Sequence, residues 1–197
     1  MPRKKTAQPR YITALKIRTP PRKQLDPDMQ RYFAVCEDKI DHVPNVLLAY
    51  SAHGPKLRNM ANFYNELMLG ESPLSRLERE MIAVVVSSAN HCYYCLVAHG
   101  AAVRQLSGDP ALGELLVMNY RAAELSPPHR AMLDFAHKLT VAQRDVSEAD
   151  RQALREAGFS EKAIWDIAEV AAFFNFTNRL ATATDMMPND LYHGQAR

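Results

Sequence analysis

A chain of 197 residues, 47% apolar and 23% charged, can bury one sizeable core and has the composition of an ordinary globular protein. A net charge of +2 argues against a general nucleic-acid or membrane-surface binder, and no apolar run approaches the ~20 residues of a membrane span. Three cysteines are too few for a disulfide framework, so a close pair among them points to catalysis or metal binding.

Residues 1–24 form a basic N-terminal arm, with eight Lys or Arg and no acid before Asp26. The arm lacks the continuous apolar core and small-residue cleavage site of a secretory signal, so a cytoplasmic protein is expected. Pro20 and Pro21 forbid a helix through its end. It has no aromatic interleaving for gripping single strands beyond Tyr11. The expectation is therefore a flexible terminal arm or one draped over a neighbouring copy, with no nucleic-acid role.

From residue 25 to 197 the pattern is helical. Asp26 before Pro27 opens a helix whose apolar face is Met29, Tyr32, Phe33, Val35 and Cys36. Cys36 reads as a small buried hydrophobe. After the break at Pro44, Val46 to Tyr50 is a short helix. Pro55 opens another that carries Leu57, Met60, Phe63, Tyr64, Leu67 and Met68 and closes at Gly70.

Ser72-Pro73 and Ser75 with Glu78 mark the next helix start, the second pair as a capping box. The run Met81 to Val86 continues that helix and Ser88-Ala89-Asn90 ends it. A helix from near His91 carries Cys92 to Leu106. Leu112 to Tyr120 and a helix opened by Ser126-Pro127 follow. Ser147 with Asp150 and Ser160 before Glu161 cap the last two. The final helix is patterned as core, with the lone Trp165 read as buried. Asn175 and Asn178 interrupt its apolar surface as hydrogen-bonded helix contacts. No run beyond Val84 to Val86 has strand character, which makes the fold all-α.

The chemistry concentrates in residues 80–99. At ~100° per residue, positions 92, 95 and 99 share about 60° of a helix surface, which groups two sulfurs with one imidazole. Cys92 falls in the first turn, where unpaired N–H groups and the helix dipole favour a thiolate. Cysteines separated by two residues can cycle between dithiol and disulfide, and His99 can carry a proton near neutrality. Glu80, at the edge of an apolar stripe between Leu77 and Val84, is placed for partial burial and proton relay.

Three other uses of this spacing compete. Zinc on Cys92, Cys95 and His99 would lack a fourth ligand. Haem attachment needs His directly after the second cysteine, where Leu96 stands. A thioredoxin sheet needs strands that the rest of the chain does not supply.

Glu80, eleven residues, Cys92-x-x-Cys95, three residues and His99 resembles the signature of the alkylhydroperoxidase D (AhpD-like) group of the carboxymuconolactone decarboxylase superfamily. The segment SPLSRLEREMIAVVVSSANHCYYCLVAHGAA is similar to its peroxidase-related branch, and VPNV and FNFTNRLA extend the likeness over residues 25–190. The resemblance implies a compact multi-helix bundle, a homo-oligomer and thiol-dependent reduction of hydroperoxides, with no cofactor and no bound metal.

It also implies the roles. Cys95 attacks the O–O bond, Cys92 resolves the sulfenic acid as a disulfide, Glu80 and His99 relay protons, and an external thiol or dithiol restores the pair. Helix position alone instead makes Cys92 the more acidic thiol. Tyr94 departs from the family pattern, which has His before the second cysteine, and a phenol of pKa ~10 is no base at neutral pH. Two rival functions follow from the same residues. One is a decarboxylase-like enzyme that ignores the thiols. The other is a redox-responsive helical oligomer without turnover.

Overall fold

The computed structural model describes residues 7–197. Nine α-helices and no strand occur among them. They are α1 Pro27–Ile40, α2 Asn45–Tyr50, α3 Gly54–Leu69, α4 Arg76–Ala89, α5 Tyr93–Ser107, α6 Pro110–Asn119, α7 Pro127–Val141, α8 Glu148–Glu156 and α9 Glu161–Ala183. The first six residues of the basic arm lie outside the described region.

The bundle is built around α4. Every residue from Arg79 to Ser87 is buried, and the helix packs against α5, α6, α7 and α9. A helix apolar all round belongs in a core, which is why the run Met81 to Val86 sits there rather than on an amphipathic face. Its start is the expected capping box: Ser75 Oγ accepts from the Glu78 N–H, and Glu78 accepts from the Ser75 N–H at 2.7 Å. The buried Arg79 donates to the Leu67 and Gly70 carbonyls, both at 3.0 Å, and so closes the C-terminus of α3 with charge-assisted bonds.

Several sequence expectations shift. Trp165 is 69% exposed on the face of α9 opposite Ile167, Val170 and Phe174, and Val35 is exposed on α1 away from the buried Met29, Phe33 and Cys36. Ser72 caps no helix. Its hydroxyl accepts from the Leu74 N–H and donates to Asp166, so Ser72-Pro73 is a turn before α4, whereas Ser126 caps α7 with Pro127 at its first position. Asp26 makes no side-chain cap and instead pairs with Arg58.

Residues 8–14 of the arm lie along this chain's own residues 184–188. The Ala14 N–H donates to the Thr184 carbonyl, the Met187 N–H to the Ile12 carbonyl, and the Gln8 amide to the Pro188 carbonyl. Tyr11 donates to Asp185. On the far side, the buried Arg104 of α5 holds the tail through the Tyr192 and Gln195 carbonyls.

Candidate active site

Helix α4 ends and α5 begins within three residues, and that junction makes the site. The His91 N–H donates to the Ser88 carbonyl and the Cys92 N–H to the Ser87 carbonyl, with His91 in the left-handed region at φ 53°. This is a Schellman closure with histidine in the slot that glycine usually fills. Cys92 is the N-cap of α5 rather than a residue of its first turn, and its carbonyl accepts from the Leu96 N–H. Cys95 and His99 then point from successive turns of α5 toward α4 and α9.

The four expected residues come together. Glu80 is buried, His99 is partly buried, and the two are joined at 2.6 Å from Nδ1 to Oε2. Cys92 is 1% and Cys95 3% exposed; both are free thiols, hydrogen-bonded to each other. His99 stands edge-on to Phe174, ring centroids 4.6 Å apart, so its orientation is fixed from two sides.

The two thiols are electrostatically unlike. The hydrogen bond from Cys95 draws Cys92 down from 9.0 to about 7, against the cost of burial, with smaller help from the His99 field and the Thr182 hydroxyl. Donating that bond holds Cys95 well above its ordinary value, and burial and the Cys92 charge add to the effect. The resting proton therefore sits on Cys95, and Cys92 is the more acidic thiol, as its helix position argued.

Two residues escaped the sequence reading as functional. Ser87 and Asn178 both hydrogen-bond Cys95 and oppose the rise in its pKa. Asn178 Nδ2 donates to Ser87 Oγ at 2.9 Å and Asn178 Oδ1 accepts from Asn90 at 3.0 Å, while Asn175 bridges Asn90 to Thr140. Asparagines on an otherwise apolar face of α9 signalled buried polar contacts. A serine at the end of the α4 apolar run gave no comparable signal.

Tyr94, the departure from the family pattern, has a structural task. Its hydroxyl accepts from the Val46 N–H at 3.1 Å and so ties the start of α2 to the thiol site, and burial pushes the phenol well up. Cys95 and His99 line a small apolar cavity of ≈ 50 Å³ whose other walls include Met60, Tyr64, Phe173 and Leu180. Among the described residues no group of three or more His, Cys, Asp or Glu side chains is placed to hold a metal.

The chain as a whole has close counterparts among known families and solved structures. The carboxymuconolactone decarboxylase family model matches residues 55–136. A crystal structure of an uncharacterized peroxidase-related protein from Silicibacter sp. TM1040 is 58% identical. The match covers 98% of this chain and all of that one, with a TM-score of 0.93.

An uncharacterized peroxidase-related protein from Ralstonia eutropha JMP134, described as an alkylhydroperoxidase AhpD core, is 39% identical over 97% of this chain and 98% of its own, with a TM-score of 0.91. The debrominase Bmp8 shares the fold at 18% identity over 86% of this chain and 90% of its own, with a TM-score of 0.73. No curated protein matches the chain. The chain belongs to the AhpD-like, peroxidase-related branch of the carboxymuconolactone decarboxylase superfamily.

Proposed function

We propose that the protein is a thiol peroxidase that reduces hydrogen peroxide or organic hydroperoxides through Cys95 and Cys92. The observation that carries this reading is the cavity in which Cys95 and His99 stand together, with His99 held by Glu80 at 2.6 Å. Glu80 accepts the Nδ1 proton, which leaves the Nε2 lone pair free to take one from Cys95.

The Cys95 thiolate attacks the distal oxygen of the hydroperoxide, the O–O bond breaks, and the alkoxide leaves with a proton from His99 as alcohol. Cys95 is then a sulfenic acid. The Cys92 thiolate attacks that sulfur and displaces hydroxide, which takes a proton from solvent and leaves as water, forming the disulfide. The resting preference for a Cys92 thiolate suits this second step, since the resolving sulfur is already ionised near pH 7. For the first step the proton must pass from Cys95 to His99, with Ser87 and Asn178 hydrogen-bonded to the developing charge. The apolar walls favour an alkyl or aryl hydroperoxide over a charged one.

Intact-protein mass spectrometry after one equivalent of cumene hydroperoxide tests the reading. Loss of two hydrogens, mapped to Cys92–Cys95, is the expected result. Unchanged mass with both thiols still alkylatable overturns it.

A further inference from the structure

Cys92 and Cys95 are hydrogen-bonded neighbours, yet they line different clefts. Cys95 shares the apolar cavity with His99. Cys92 lies at the floor of a second cleft of ≈ 200 Å³, walled by His91, Tyr93, Thr182, Asp185 and Met187. Tyr94, Ala181 and Met186 line both and form the partition. All three are buried, and the Tyr94 hydroxyl is fastened by the Val46 N–H.

From this separation we propose that the site has two entrances, and that a small thiol reductant reaches Cys92 through its own cleft without passing the hydroperoxide cavity. The proposal rests on the thiol-peroxidase reading for its disulfide. The two mouths sort their ligands by polarity. The Cys95 cavity is walled by aliphatic and aromatic side chains, whereas the Cys92 cleft offers the Thr182 hydroxyl, the Asp185 carboxylate and the His91 imidazole. The second cleft also limits size. With Cys92 only 1% exposed at its floor, a slender small-molecule dithiol can reach the sulfur, and a thiol set in a folded protein surface cannot.

The electron balance follows that route. A reductant thiolate attacks Cys92 Sγ, the Cys92–Cys95 bond breaks, and Cys95 leaves as thiolate and takes up a proton. The reductant's second thiolate then attacks its own sulfur in the mixed disulfide, which releases the Cys92 thiolate and closes the reductant's disulfide. Departure of Cys95 is assisted at that moment. While Cys92 is tied to the reductant, it bears no charge to hold Cys95 up, and the Ser87 and Asn178 hydrogen bonds remain.

The test starts from the disulfide made with diamide, so it does not depend on turnover with peroxide. The oxidised protein is mixed with glutathione, quenched in acid and peptide-mapped. Glutathione on Cys92 is expected. An adduct on Cys95, or equal adducts on both, overturns the proposal. In parallel, dithiothreitol is expected to reduce the disulfide faster than a thioredoxin-fold protein dithiol at equal concentration, and the reverse order overturns the small-molecule assignment. A protein that glutathionylates at Cys92 but loses no hydrogens to cumene hydroperoxide would keep the entrance and lose the peroxidase.

Discussion

His99 Nδ1 donates to Glu80 Oε2 at 2.6 Å across the α4–α5 interface, with Glu80 buried and His99 partly so. An ionised carboxylate has no hydrogen to give, so this bond fixes which ring nitrogen stays basic. Glu80→Gln keeps the shape and removes the charge, so either imidazole tautomer becomes acceptable. Hydroperoxide consumption at saturating dithiol is expected to fall by about 10²-fold, within the range for general acid–base groups.

The two cysteines should fail differently. In Cys92→Ser the attacking sulfur has no resolving partner, so one equivalent of peroxide leaves a sulfenic acid that dimedone labels at Cys95. Cys95→Ser is expected to give no dimedone adduct and no turnover. Dimedone label at Cys92 in the Cys95→Ser protein would reverse the assigned roles.

Alkylation of Cys92 by iodoacetamide should rise through a midpoint of about 7. Because the largest cause is the hydrogen bond from Cys95, Cys95→Ala should move that midpoint upward. The same pair sets a pH dependence of stability. Between pH 7 and 9 the reduced native protein has released the Cys92 proton and the unfolded chain has not, so stability rises with pH. Above 9 the unfolded chain loses both protons while the native state keeps that of Cys95, so stability falls. Denaturant midpoints of the reduced protein across this range check both signs.

Asn178→Ala removes the donor to Ser87 Oγ and one acceptor for Asn90 in a buried setting. A loss of about 1–3 kcal/mol is expected for the groups left unpaired. Cys95 also loses a hydrogen bond that favours its thiolate, so the rate of sulfenic acid formation should fall together with stability.

Tyr94→Phe leaves the Val46 N–H without its acceptor. The expected cost is about 1 kcal/mol, read as a fall of roughly 2–4 °C in the melting temperature for a chain of this size.

The helical order was legible because most helices announce themselves by caps, such as Ser75 with Glu78, Ser126 before Pro127 and Ser160, and by 3.6-residue periodicity. Glu80, Cys92, Cys95 and His99 were legible as a set because spacing alone puts three of them on one helix face. What spacing could not supply was how the two sulfurs differ in acidity and surroundings. The difference comes first from the hydrogen bond between them, with smaller effects from Ser87, Asn178 and Thr182 of α4 and α9, and Tyr94 and Met186 part the clefts they line. Trp165 was misread because a large aromatic on a core helix is usually buried, although the period of Ile167, Val170 and Phe174 puts it on the opposite face.

The backbone bonds of Ala14 to Thr184 and of Met187 to Ile12 tie residues from opposite ends of the sequence. They flank Met186, which lines the clefts of both thiols. On a ribosome, α4 and α5 emerge long before residue 184, so the cysteines exist for a time without their roof. The thiol site is therefore completed last in synthesis, and a chain arrested before its tail would carry both sulfurs in an unfinished and more exposed state.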